Sequence, residues 1–259
     1  MRSVAVVLVL VLIACGEAAG SSTIATRARG TVIAILDGDS LRIDLADGSD
    51  EVRLAGINAP EAGECWADEA RAALDGLVGQ RVTVLGDRRD QYGRRLATVV
   101  ADAVDVNHEM VRLGHAIVLS GDDSLIAAED AAAADELGLW SPSACGPAAA
   151  TGLDIREIVF DPPGPDDADL GEEYVVLVND GPLADLTGWV LRDESSVHRF
   201  RFPDGFRLGP GGSVVVRTGC GNDSPTELHW CAGGPVWNND GDMALVLDRS
   251  GNVVARLRY

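Results

Sequence analysis

Lysine is absent: all 21 basic side chains are arginine, set against 41 acids for a net charge of −20. That balance excludes a protein that grips nucleic acid through a broad basic face. It leaves room for a small site built from a few arginines and a divalent cation. No CxxC pair and no Cys/His cluster at ligand spacing occurs, which argues against a zinc module. Beyond the first residues there is no apolar run of transmembrane length, no heptad repeat and no long low-complexity tract. What remains has a globular composition, 46% hydrophobic and 24% charged. Its 259 residues suffice for two modest domains or one large one.

The N-terminus carries one charge, Arg2, followed by the apolar stretch SVAVVLVLVLIAC, too short to span a bilayer comfortably. Its end, Leu12-Ile13-Ala14-Cys15, resembles a bacterial lipoprotein signal, in which Cys15 becomes the lipid-modified first residue. An ordinary cleaved signal peptide or a short uncleaved anchor is the alternative. Residues 1–26 are thus expected to be signal peptide and flexible tether, with export and a membrane contact through the lipid.

Two textures follow. GTVIAIL, SLRIDL, EVRLAGI and RVTVLG are short, β-branched and bounded by Asp/Gly turns, as strands are. ADEARAALDGLV, DVNHEMVRLGHA and DSLIAAEDAAAADELGLW read as helices, the last capped by Asp122, Asp123 or Ser124. Residues 27–146 therefore read as an α+β domain with a small barrel. After a linker at 147–152, residues 153–259 offer about seven short strands between Gly, Pro and Asp turns, which read as an all-β sandwich. With Cys15 set apart, four cysteines remain for an oxidising compartment. Three pairings are open; Cys65–Cys145 and Cys220–Cys231 keep each bridge within one segment.

Taken singly, the charged residues of the first segment are unremarkable: Asp37-Gly38-Asp39 a hairpin turn, Arg53 a solvated strand residue, Glu61 a loop acid, RRDQYGRR a charged turn. Taken together they form a kit for phosphodiester hydrolysis. That chemistry needs carboxylate oxygens for a hard cation, a base for water and forked guanidinium groups for phosphate oxygens. The ordered series DGDSLRI, EVRLAGINAPE, ECWADEAR, RDQYGRRLATVV, VNHEMVRLGHA and GLW resembles the thermonuclease, or staphylococcal-nuclease-like, family over about residues 28–145. The resemblance implies a five-stranded OB-type barrel with packed helices and a calcium-dependent nuclease acting on DNA or RNA. It assigns Asp39, with Asn58 and Ala59, to calcium, Arg53 and Arg94 to the phosphate, Glu61 to the general base, and Asp90 and Tyr92 to support and substrate binding. Two departures stand out: Asn58 where the calcium-dependent archetype has Asp, and Ser120 where an aromatic contact is expected. His108 and His115 read as packing or surface residues on a helix.

The second segment resembles a lamin-tail domain, an immunoglobulin-like sandwich, through DLTGWVLRD, FRLGPGGSVVVRTG and WNNDGDMALVLDRSG in that order. The resemblance implies a binding or targeting module whose ligand the sequence does not name. Asp161, Asp166, Asp167 and Asp169 read as a solvated acidic loop, and Trp189, Trp237 and Tyr174 as core aromatics. The competing readings are a non-catalytic surface binding protein with a decayed nuclease domain and a structural envelope lipoprotein.

Overall fold

The structure, a computed structural model, describes residues 26–119, 122–164 and 170–259. The signal region with Cys15, Ser120, and Asp166, Asp167 and Asp169 lie outside the described residues.

The first unit runs β1 (Arg27–Ile35), β2 (Ser40–Leu45), β3 (Gly48–Leu54), β4 (Ile57–Asn58), α1 (Ala67–Leu74), β5 (Arg81–Arg89), β6 (Arg95–Ala101), β7 (Val104–Asp105), α2 (Val106–Arg112), β8 (Ile117–Val118) and α3 (Asp123–Ala134). The antiparallel order β3-β2-β1-β5-β6 is closed by a parallel β3–β6 pair, Arg53 opposite Leu96, so five strands make a barrel. Closure requires curvature. β1 supplies it with a bulge between Val32 and Ala34 and with Gly30, where a Cβ would stand 2.7 Å from Ile43 and Leu45 side-chain atoms. Val32, Leu41, Ile43, Val52, Val84 and Val99 fill the interior. Asp105 caps α2 by accepting from His108 N, and Asp122 caps α3 by accepting from Ser124 N and Leu125 N.

The helices are shorter than their patterns. α1 ends at Leu74 in a 3₁₀ turn over 75–77, and α2 stops at Arg112, so His115 lies beyond it. α3 ends at Ala134 because Glu136 and Gly138 take positive φ, 53° and 59°. There the chain crosses Gly114, where Leu139 N donates to Gly114 O at 2.8 Å and no side chain fits on either glycine. RLATVV, not anticipated as a strand, is β6, and the RRDQYGRR segment is the β5–β6 hairpin.

The second unit comprises β9 (Leu153–Val159), β10 (Tyr174–Asn179), β11 (Ala184–Asp185), β12 (Val190–Arg192), β13 (Arg199–Arg201), β14 (Arg207–Leu208), β15 (Gly212–Arg217), β16 (Glu227–His229), β17 (Met243–Leu247) and β18 (Val253–Arg258). Sheets ordered β16-β15-β10-β9 and β13-β12-β17-β18 face each other across a core holding Leu177, Leu191, Phe202, Val216, Trp237 and Val246. No helix occurs among its described residues. Trp189 and Trp237 are core residues, while half-buried Tyr174 carries the Arg217 guanidinium over its ring at 5.2 Å. Cys65 is bonded to Cys145 and Cys220 to Cys231.

The two units share a seam. Ile117, Ala132, Leu139 and Trp140 of the first pack with Met243 and Leu245 of the second in one buried cluster. Beside it Glu129, fully buried, accepts from Val118 N at 2.7 Å and from Arg258 at 2.8 Å, and Arg258 also reaches Glu194 at 3.2 Å. Cys145 N donates to Asn252 Oδ1 at 2.8 Å, so the Cys65–Cys145 bridge also lies against the sandwich.

Candidate active site

The site grows from the β1–β2 turn and the end of β3. Leu36 N donates to Ser40 O and Asp39 N to Asp37 Oδ1, folding DGD into a tight turn. Gly38 is needed for packing: a Cβ there would lie 2.7 Å from those of Ala59 and Ala70. Leu54 N donates to Asp39 O at 2.7 Å, fastening the turn to β3. Asp39 is thereby buried beside Arg53. Its Oδ2 lies 2.9 Å from Arg53 Nη1 and accepts from Ala59 N at 2.8 Å, and its Oδ1 accepts from Ser40 Oγ. Burial pushes the Asp39 carboxyl up to about 7 against the pull of Arg53 and the Ala59 N–H.

Arg53, read alone as a solvated strand residue, is buried instead. Its Nη1 also donates to Leu54 O and Ile57 O, and its Nη2 to Asn58 Oδ1 at 3.0 Å. Burial lowers its pKa, Asp39 opposing, and it stays charged. Arg94 and Glu61 both bear on its charge, so the turn, the strand end and the β5–β6 hairpin form one electrostatic cluster. At that hairpin Asp90 Oδ1 accepts from Tyr92 N and Arg94 N, and its Oδ2 takes Arg94 Nε at 2.7 Å. Arg94 lies 5.4 Å from the centre of the Tyr92 ring. Glu61, exposed, shares with Glu51, Tyr92, Gly93 and Arg94 an open cleft of about 490 Å³.

The sandwich closes the other side, which no sequence pattern announced. Asn58 Nδ2 donates to Glu194 O at 3.1 Å and Ser196 Oγ to Glu61 Oε1 at 3.3 Å. Glu64, which accepts from Glu61 N at 3.0 Å, pairs with Arg199 and lies 4.0 Å from Arg192.

Residues 51–142 match the family model described as "Staphylococcal nuclease homologue", and residues 146–259 match "Lamin Tail Domain". An "Uncharacterized endonuclease" of Escherichia coli O157:H7 is 36% identical over 117 residues, 43% of this chain and 76% of that protein. "Micrococcal nuclease" of Shigella flexneri is 34% identical over 128 residues, 44% of this chain and 74% of that protein. "Protein ParB" of Escherichia coli is 32% identical over 128 residues, 44% and 72% of the two chains. The chain belongs to the staphylococcal nuclease homologue family.

Within that family frame, Asn58 acquires a physical reason. Its oxygen faces a guanidinium donor and its nitrogen a carbonyl acceptor, which only an amide satisfies; a carboxylate would set an oxygen against Glu194 O. The donors available to a family metal are the Asp39 carboxylate, Asn58 Oδ1 and the Ala59 carbonyl, all oxygens suited to a hard cation. Asp39 supplies the one formal negative charge of that set, and Arg53 at 2.9 Å already offsets part of it. Among the described residues no group of three His, Cys, Asp or Glu side chains is placed to hold an ion, so the set is poor in charge.

His115 accepts from Trp66 Nε1 at 3.1 Å, a packing role, and burial lowers its pKa. Cys65, being disulfide-bonded, is no nucleophile.

Proposed function

We propose that the protein is an exported nuclease that hydrolyses phosphodiester bonds of DNA or RNA, held at the cell surface by lipid on Cys15, with the sandwich as an accessory binding module. The observation that carries the catalytic reading is the gathering of Asp39, Arg53, Glu61 and Arg94 at one edge of the barrel.

Glu61 stands in the open cleft as the base that takes a proton from the attacking water. Arg94, half-exposed on the same cleft, offers its remaining N–H groups to the phosphate oxygens while Asp90 fixes its Nε. Arg53 keeps about a tenth of its side chain exposed, so it acts mainly as a charge behind the phosphate and a clamp on the 54–58 strand end. Tyr92, 75% exposed, supplies an aromatic face for substrate. A calcium ion on Asp39, Asn58 and Ala59 would neutralise charge developing on the phosphate oxygens. Asn in place of a carboxylate makes that ion weakly held.

The test is hydrolysis of single-stranded DNA and of RNA by the chain with calcium and with chelator. Calcium-dependent cleavage is expected. Cleavage that survives chelation removes the calcium assignment. No cleavage with calcium, magnesium or manganese in a folded, disulfide-intact sample favours a non-catalytic binding protein.

A further inference from the structure

Between the two units lies a second cavity of about 320 Å³, distinct from the cleavage cleft. One wall is Asn58, Ala59 and Pro60, the segment that delivers Glu61 to the cleft; the opposite wall is sandwich. In a chain of net charge −20, this cavity is lined by four arginines, Arg192, Arg199, Arg201 and Arg249, and by two acids, Glu64 and Asp248.

The arginines are arranged against electrostatic preference. Arg192 and Arg199 are direct cross-strand partners on β12 and β13, a like-charge pairing that costs stability. They share the single carboxylate of Glu64. Arg192 is 6% exposed, and it spends its other donors on the Asp193 and Glu194 carbonyls. Arg201 and Arg249, both solvent-exposed at the cavity rim, have no ion pair among the described residues: Arg201 donates to Gly188 O, and Arg249 to Thr187 O. The two cations converge on one point, since a Cβ at Gly188 would stand 3.7 Å from Arg201 Nη1 and 3.8 Å from Arg249 Nε. Asp248 does not neutralise them; its oxygens accept from Ser250 N, Asn252 N and Asn252 Nδ2 within its own turn. Apart from Asn58 and Ser250, the rest of the lining is mostly apolar, with one aromatic side chain, Trp66, beside Ile117 and Leu245. Under-compensated guanidinium groups beside an apolar, aromatic wall match a group that is anionic at one end and flat and weakly polar at the other.

We propose that the seam cavity binds a phosphate-bearing nucleotide unit of the nucleic-acid strand, beside the cleavage cleft, with the phosphate on Arg201 and Arg249 and the base on the Trp66 side. This deepens the nuclease reading and rests on it for the identity of the strand. It makes the sandwich part of substrate binding.

The experiment measures binding of a fluorescent ten-residue oligothymidylate by anisotropy, in chelator so that nothing is cleaved, over a series of salt concentrations. Three forms of the full chain are compared: wild type, Arg201→Gln/Arg249→Gln, and a control of equal charge change, Arg156→Gln/Arg207→Gln. The glutamines retain an N–H for the backbone carbonyls, and circular dichroism checks folding. If the double variant misfolds, the single changes Arg201→Gln and Arg249→Gln should each weaken binding several-fold, and affinity equal to the control in both overturns the proposal. Loss of the cavity arginines should weaken binding about 10-fold or more and flatten the log–log salt slope by about 0.7, the value for the one phosphate contact they share. The control should match wild type. Equal affinity and slope for the cavity variant and the control overturns the proposal, even if the chain cleaves DNA. Arginine-dependent binding in a chain that never cleaves supports the cavity and removes the nuclease reading. Competition by thymidine monophosphate no better than by inorganic phosphate overturns the nucleotide assignment.

Discussion

The two sides of the cleft are built differently. On the hairpin side, Asp90, Tyr92 and Arg94 hold one another across five residues, with no hydrogen bond or ion pair to the sandwich among the described residues. On the strand-end side, Asn58, Glu61 and Glu64 are each tied to the sandwich, through Glu194, Ser196 and Arg199. The first side is local and half-exposed; the second is long-range and anchored at a buried seam. Damage to the hairpin should therefore change chemistry without changing the fold, whereas damage at the seam should change stability and chemistry together.

The sharpest way to break this contrast is Arg258→Ala. It strips the partner from Glu194 and the nearer of two from Glu129, leaving Arg256 at 3.9 Å; both acids are buried, and the change should cost about 3–5 kcal/mol. Thermal unfolding should show a fall in Tm of roughly 6–20 °C, taking about 2–4 °C per kcal/mol for a chain of this size. Arg94→Ala should do the reverse: a loss of roughly 10²–10³ in kcat with Tm nearly unchanged, because among the described residues the side chain meets Asp90 and Tyr92 on its own exposed hairpin. A fall in Tm as large as that of Arg258→Ala would erase the difference between the two sides.

Asn58→Asp sits on the boundary. Without calcium it should destabilise by about 1–3 kcal/mol, since Glu194 O keeps Arg192 but exchanges the Asn58 donor for a carboxylate oxygen that repels it. With calcium the added carboxylate should enlarge the thermal shift beyond that of wild type. A pH series tests the seam more gently. Burial and the neighbouring Asp242 push Glu194 up to about 8 in the folded chain. Its contribution to stability is therefore full below its ordinary pKa of 4.5 and is lost as pH rises toward 8. Glu194→Gln removes that dependence, so its Tm relative to wild type should rise between pH 5 and pH 9. A constant difference would show that Glu194 does not titrate there.

The same contrast explains what was legible in the sequence. The hairpin and the DGD turn are short-range devices, and their residue types sit next to the residues they contact. The barrel strands carried β-branched runs that survive folding unchanged, and the sandwich strands alternate between turn residues. The helix ends were missed because α3 stops where Gly138 crosses Gly114, a close approach between segments about 24 residues apart. β6 escaped because its apolar residues follow directly on a charged turn. The burial of Arg53 was hidden, since a lone arginine between Val52 and Leu54 reads as solvated until Asp39 and the 54–58 carbonyls fold around it. The partners of Asn58 and Glu61 lie more than 130 residues away, and nothing local in Glu194 or Ser196 marks them as part of a site. What looked at position 58 like a loss of metal charge is, in the folded chain, a donor to the sandwich.

The most direct test of the account is hydrolysis of single-stranded DNA by Glu61→Gln beside wild type, with Tm measured on the same samples. Glu61 is exposed and its side-chain hydrogen bond to the sandwich among the described residues is a 3.3 Å contact with the Ser196 hydroxyl, so the variant should melt with wild type. The account predicts a kcat lower by about 10²–10⁴ at unchanged Tm. Cleavage at the wild-type rate would contradict it, because no base would then be needed where the barrel and the sandwich meet.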